Sequence, residues 1–417
     1  MKRIIKKLLT PFPGVKIFLR KVYNRIKKNE NALVQQNPII KKYSKKVIFF
    51  DITSHSVSEV KTGIQRVVSK FIEYIQEVVG DKYVIECISG LGGYHIIDMY
   101  TYQPDFQTMI CLREGDIYLS IDFNPVQPYE YWDTLKQWQD NGCKLYACVY
   151  DLVYEKYPEY VADKEAVRLL SRWLHHATAN FDGLICISKT VEMELREWIK
   201  QNSIKNSKLQ TGYFYLGADF DDNEKDENDS TIDFFKSICS TEKTNFLAVS
   251  TIEPRKGYDE LISAFESALD KGNNVNLLIV GRKGWKYKET VKKIINSKYY
   301  NNSIFWFSDC NDEMLGVLYS LADCFVTNSY YEGFGLGIIE ASNRGLPLLL
   351  RDIPINREVS NGQALYFKTE TDLVEILGNI AVNRNLIADQ DKLKALSWKE
   401  SVQMAWNTLE KMMKENR

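Results

Sequence analysis

The sequence predicts an α/β protein of two doubly wound domains, and three observations predict it. Short apolar runs of strand length alternate with amphipathic helical stretches, the pattern of parallel sheets covered on both faces. That alternation occurs twice, before and after a charged polar run at 219–228. The 417 residues are also too many for a single hydrophobic core.

The chain begins with two short pieces split by Pro11-Phe-Pro-Gly14. In the second, Val15, Phe18, Leu19, Val22 and Ile26 recur at helical spacing, with Lys16, Arg20, Lys21, Arg25, Lys27 and Lys28 largely between them. An apolar stripe bordered by cations suits a helix lying in an anionic bilayer surface. It equally suits a helix packed on the body with its basic face in solvent. Residues 29–46 read as a polar linker. A first buried strand follows at 47–51, then a polar loop at 53–63. The next helix has apolar residues at 64, 67, 68, 71, 72, 75, 78 and 79. Gly63 and Arg66 therefore sit at a strand–loop–helix junction, where free backbone N–H groups meet anionic or hydroxylated ligands. Arg66 faces either that crevice or solvent.

Strands at 83–88, 116–122, 144–150, 183–188 and 213–217 then alternate with helices at 129–140, 159–179 and 189–200. Tyr150 and Asp151 close one of these strands at its C-terminal end, the side on which such sheets bind ligands. The run at 219–228 has no apolar flank to hold its carboxylates rigid, so it reads as a solvated linker rather than a metal cluster.

The second series opens with a strand at 246–250 and the turn Thr251-Ile-Glu-Pro-Arg-Lys-Gly257. Further strands at 276–280, 303–307, 324–328 and 347–350 alternate with helices at 258–271, 286–297, 311–321 and 337–344. The end of the chain, 398–415, reads as a helix with Trp398, Val402, Ala405, Trp406 and Leu409 on one side. The most informative stretch runs from Asn328 to Pro347. A buried strand ends in a glycine-rich turn between Glu332 and Glu340, which then opens a helix. Gly333, Gly335 and Gly337 let the backbone approach a ligand closely, and the helix start favours anions.

The composition is that of a globular protein, 45% hydrophobic and 26% charged. The net charge of −1 hides an asymmetry, because residues 1–46 carry 14 Lys and Arg against one acid. A basic end on an acidic body implies an anionic partner for that end only. No nucleic-acid motif accompanies the charge. The eight cysteines show no C-x-x-C pair and lie mostly in apolar runs, as buried free thiols in a reducing compartment do. Four histidines without ligand spacing argue against a zinc site. No apolar run has the length of a membrane span, and no secretory signal is present, so a cytoplasmic location is expected.

On these residues the second half resembles the retaining, nucleotide-sugar-dependent glycosyltransferases of family four. Val249-Ser-Thr-Ile-Glu-Pro-Arg-Lys-Gly257 is similar to the family's phosphate-binding turn, and 277–281 to its next strand and glycine. Glu332-Gly-Phe-Gly-Leu-Gly-Ile-Ile-Glu340 is similar to its E-x7-E signature, followed by Ala341, Gly345 and Pro347. The likeness is strong over 243–368 and weaker in the first half. It implies the GT-B fold, two facing Rossmann-like domains. Here they would be an acceptor-side domain at 47–220 and a donor domain at 244–395. The basic extension would cover 1–46, a linker 221–243, and 396–417 a helix packing back on the first domain. Thr251 stands where many members have arginine, so Arg255 would carry that charge. Tyr150 stands where many have histidine.

The resemblance also implies roles. Arg255 and Lys256 would neutralise the diphosphate of a sugar nucleotide, a task for a guanidinium fork beside a point charge, making a metal dispensable. Glu332, with the backbone of Gly333, Phe334, Gly335 and Leu336, would orient the donor sugar. Glu340 would hold the ribose, and Ser308 would border the base. Gly63, Arg66, Tyr150 and Asp151 would line the acceptor side. The implied chemistry is a front-face displacement in which the leaving phosphate takes the acceptor's proton. The expected activity is transfer of a hexose or deoxyhexose, mannose first, to a lipid-linked glycan or polysaccharide at the inner face of the plasma membrane. A nucleotide-sugar epimerase and a non-catalytic GT-B partner subunit are the alternatives. A dinucleotide-dependent dehydrogenase is disfavoured because no G-x-G-x-x-G follows the first strand.

Overall fold

The structure is a computed structural model, and it describes residues 39–57, 63–219, 230–239, 242–388 and 395–415. The amphipathic stripe at 15–26, Thr62 and most of the charged run lie outside the described residues. The chain divides into two compact units. The described residues up to Pro158, with Asp163–Leu216 and the C-terminal helix Trp398–Glu415, form the first. Glu159–Ala162 and Gly217–Ser397 form the second.

In the first unit, β1 (Lys46–Asp51), β2 (Tyr83–Ser89), β3 (His95–Ile97), β4 (Pro104–Asp105), β5 (Ile117–Ser120), β6 (Lys144–Val149), β7 (Gly183–Cys186) and β8 (Gln210–Tyr213) make one sheet. Its order is β8-β7-β6-β5-β1-β2-β3-β4, parallel except for β3 and β4. The helices α1 (Gly63–Val79), α2 (Trp132–Asp140), α3 (Lys164–Asn180) and α4 (Lys189–Gln201) intervene. Strand β1 is buried from Val47 to Asp51 because α1 covers it with Val67, Val68, Phe71 and Ile75. The C-terminal helix buries Trp398, Val402, Ala405, Trp406, Leu409 and Met412. It lies against α1 and β8, and its Thr408 hydroxyl donates to the Tyr213 carbonyl at 3.1 Å.

In the second unit, β9 (Thr244–Val249), β10 (Val275–Val280), β11 (Ile304–Phe307), β12 (Cys324–Thr327), β13 (Leu348–Arg351) and β14 (Leu365–Phe367) are all parallel, in the order β11-β10-β9-β12-β13-β14. Two apolar clusters, one on each face, sandwich this sheet. Phe246, Leu277 and Leu349 belong to one, and Leu247, Leu278 and Leu348 to the other. Alternate residues along each strand therefore supply opposite faces.

Several expectations need correction. The proposed linker at 221–243 contains the helix Ser230–Ile238, whose Ile232 and Phe235 are buried in the second unit's core. Its apolar residues are few, so they read as linker without the sheet they pack against. The strand expected at 213–217 lies instead at Gln210–Tyr213, paired with β7. The helix expected at 129–140 breaks at Tyr131, and that expected at 159–179 begins only at Lys164, capped by Asp163. Five cysteines are buried, whereas Cys111 is exposed and Cys239 and Cys310 are half-buried; all are free. Among the described residues no helix is long and apolar enough to cross a membrane.

Candidate functional site

The second sheet reverses its strand order between β9 and β12, and the turns leaving those two strands meet there. Such a switch point leaves a crevice that neighbouring connections do not fill. After β9 a short 3₁₀ turn, Pro254–Lys256, closes on Gly257, whose φ of +65° only glycine adopts readily. The next helix, Tyr258–Asp270, starts at that glycine. A Cβ at Gly257 would lie 2.3 Å from the Asn328 carbonyl oxygen, so the two turns are in backbone contact. The Asn328 amide donates to the Gly257 carbonyl at 2.7 Å, and the Tyr330 N–H to the Arg255 carbonyl at 2.8 Å. A third turn, after β10, joins through a bridge between Ile252 and Lys283. A Cβ at Gly281 would fall 1.8 Å from the Ser250 carbonyl oxygen.

This packing brings Arg255, Lys256 and Glu332 together. Arg255 Nη1 donates to Glu332 Oε2 and to the Tyr331 carbonyl, at 3.1 and 3.2 Å, while its Nε donates to Glu253 Oε2 at 3.1 Å. Lys256 Nζ donates to Glu332 Oε1, which also accepts from the Ser329 hydroxyl at 2.7 Å. The Lys256 and Glu332 side chains are only 10% and 11% exposed. Burial alone would raise the Glu332 pKa. The charges of Lys256 and Arg255 outweigh that and hold it at about 2. Burial, then the Arg255 charge, pull the Lys256 ammonium below its ordinary value against the opposing pull of Glu332.

The rest of the glycine-rich turn surrounds this cluster. Gly335, at φ +92°, caps the helix Leu336–Asn343. Phe334 and Gly333 are buried and Leu336 is half-buried. Glu340 is buried one turn into that helix, where it accepts a hydrogen bond from the Tyr319 hydroxyl at 3.1 Å. Ser308, half-buried beyond the end of β11, lies 3.5 Å from Asp309 Oδ2.

The four remaining predicted residues belong to the first unit. Gly63 is exposed at the start of α1, with Arg66 half-buried in its first turn. Asp151 Oδ1 accepts the Val153 N–H at 3.2 Å. Tyr150 is buried, and its hydroxyl donates to the Ile121 carbonyl at 2.8 Å. Sequence reasoning passed over the residues at this sheet's own switch point, between β1 and β5. There Asp51 is fully buried, accepting from the Tyr118 hydroxyl at 2.6 Å and from Thr53, while Asp122 Oδ2 accepts the His55 N–H at 2.7 Å. Burial, and secondarily the Asp51 charge, push Asp122 up to about 7. The available signal was an aspartate ending each of two apolar strands. In the second unit the missed residues are Asn328, Ser329, Tyr319 and Arg351. Among the described residues no group of three or more His, Cys, Asp or Glu could hold a metal ion.

Residues 229–376 match the family model described as glycosyl transferases group 1. The chain is 29% identical over 405 residues to a serotype-specific mannosyltransferase WbdA of Escherichia coli, covering 88% of this chain and 47% of that protein. It is 28% identical over 152 residues to the O-antigen chain mannosyltransferase B of Escherichia coli, covering 36% and 34% respectively. The chain thus spans about half the length, or less, of these curated relatives. Among solved structures, sucrose-phosphate synthase from Thermosynechococcus elongatus superposes with a TM-score of 0.62 at 15% identity, over 89% of this chain and 100% of that one. WaaG, a glycosyltransferase involved in lipopolysaccharide biosynthesis, superposes with a TM-score of 0.51 at 15% identity, over 91% and 98%. The chain therefore has the GT-B fold class, and within its second unit the match to the glycosyl transferases group 1 model covers residues 229–376.

Proposed function

We propose that this protein is a retaining glycosyltransferase that moves a hexose, mannose first, from a nucleotide diphosphate sugar to a lipid-linked glycan or polysaccharide acceptor. The observation that carries the reading is the Arg255–Lys256 pair, the arginine half-buried and the lysine buried, held on Glu332 at a strand-order switch and anchored by backbone contact between two turns. Mannose is favoured because most of the curated relatives, including WbdA and the O-antigen chain mannosyltransferase B, are named as mannosyltransferases.

In this reading the guanidinium and ammonium stabilise the charge that develops on the departing diphosphate, a contribution that is large in a site shielded from water. Glu332 and the backbone N–H groups after it orient the donor sugar, and Glu340 holds the ribose. A carboxylate with a pKa of about 2 is a poor base at neutral pH, which supports a positioning role for Glu332 over proton abstraction. The leaving phosphate oxygen then receives the acceptor's proton. Since the two cations supply the neutralising charge, turnover is expected to persist in a chelator. The basic N-terminal segment would hold the enzyme at an anionic cytoplasmic membrane face.

The test is a panel of sugar nucleotides with lipid-linked acceptors, read as nucleoside diphosphate release and glycan extension. Release with a mannose donor, retained α-configuration and persistence in a chelator are expected. Sugar product without acceptor would instead make the protein an epimerase. No nucleotide binding and no release would overturn the reading. Sedimentation with anionic but not neutral vesicles tests the membrane role.

A further inference from the structure

The cations of this turn are already engaged by carboxylates. Arg255 bonds Glu253 and Glu332, and Lys256 bonds Glu332. Two positive and two negative charges give the cluster no net charge. An incoming diphosphate therefore meets a neutral site, and it gains the full attraction of the cations only by exchanging with a carboxylate. Glu332 is the one to exchange. Its two oxygens span both cations, whereas Glu253 accepts from the Nε edge of Arg255. It also sits in the glycine-rich turn, where Gly333 and Gly335 follow within three residues and permit backbone conformations closed to other residues.

We propose that Glu332 is a displaceable counter-ion, whose carboxylate competes with the diphosphate for Arg255 and Lys256 and whose return to them drives release of the nucleoside diphosphate product. This rests on reading the turn as a diphosphate site. It adds a second role to a residue otherwise assigned to the donor sugar. On donor binding the carboxylate leaves the cations and turns to the sugar hydroxyls. After transfer those hydroxyls depart with the acceptor, and the carboxylate again contends for the cations. The same side chain thus couples sugar departure to loss of affinity for the diphosphate.

The experiment uses the full chain and its Glu332→Gln variant, which keeps the side-chain shape and an acceptor for Ser329 while removing the charge. Titration calorimetry with pyrophosphate, GDP and UDP is expected to show binding tighter by about tenfold in the variant, a difference of about 1.4 kcal/mol. Steady-state turnover is expected to fall and product inhibition to deepen. Equal or weaker binding by the variant, with wild-type binding intact, overturns this inference alone. Absence of binding by both proteins at millimolar ligand overturns the diphosphate reading itself. The wild-type protein supplies a second readout should the variant fold poorly. Pyrophosphate alone is expected to speed amide hydrogen exchange across 331–335, as Glu332 lets go, and slower exchange there would overturn the proposal.

Discussion

Arg351 Nε donates to Asn328 Oδ1 at 2.8 Å, joining the end of one strand to the turn that leaves its neighbour. The other side of the Asn328 amide holds the Gly257 carbonyl, so a single amide links Arg351 to the turn bearing Arg255 and Lys256. Arg351 also pairs with Glu260, donates to the Lys368 carbonyl at 3.0 Å, and lies 4.5 Å over the Tyr330 ring, which stacks on Tyr160. Arg351→Ala is expected to lose about 2–3 kcal/mol of stability, since each hydrogen bond to a charged group contributes on the order of 1.5–3 kcal/mol. Arg351→Lys should recover only a fraction, because an ammonium cannot serve these separated partners as a fork does. Denaturant titration of both variants checks this.

Gly257→Ala tests the close approach of the two turns. A methyl group there would sit 2.3 Å from a backbone oxygen, at a φ unsuited to alanine. The nearest contact is a backbone oxygen, which cannot swing aside as a side-chain end can, so the turns must part. A loss on the order of 3 kcal/mol is expected, together with weaker donor binding because Arg255 and Lys256 move with the backbone. Gly272→Ala is the control. It also has positive φ, but nothing lies within 4 Å of its added carbon, so a smaller loss with unchanged donor binding is expected.

Tyr319→Phe removes the hydroxyl that donates to Glu340, where both side chains are buried. The variant is expected to lose about 1–2 kcal/mol. If Glu340 holds the ribose, the donor KM should rise several-fold with kcat little changed, the signature of lost ground-state and transition-state binding alike. Donor-saturation kinetics give the answer.

Asp122 makes stability depend on pH. Its pKa is raised from 3.8 to about 7 in the folded protein. Below the lower value both states are protonated. Between the two values the folded state keeps a proton that the unfolded state has lost, so stability falls as pH rises. The decline ends above the upper value, and its slope is at most about 1.4 kcal/mol per pH unit for one group. Asp122→Asn keeps an acceptor for the His55 N–H and should flatten this part of the profile. Urea midpoints measured between pH 5 and 8.5 for both proteins would show it.

The strands and helices were largely legible because burial imposes a period on sequence. Continuous apolar runs of strand length such as those ending at Asp51 and Val280 suit strands covered on both faces, and the stripe of α1 suits a helix facing one side. The helix Ser230–Ile238 was not legible, since its two anchoring side chains acquire meaning only against Leu278 and Phe305 of the second sheet's core. The pair Arg255–Lys256 and the two glutamates were legible from a motif in order along the chain.

By itself the sequence determined which residue types stand at the ends of which strands: glycines that permit close turns, cations before one helix, carboxylates before and within another. It could not determine that Glu332 lies on the cations while Glu340 lies on Tyr319, although the two are eight residues apart in one motif. Nor could it determine that the Tyr150 hydroxyl is committed to a backbone carbonyl. Ion pairing and hydrogen bonding act over a few ångströms between turns 76 or 77 residues apart in the chain. Strand order brings such turns together, and strand order is a property of the assembled sheet.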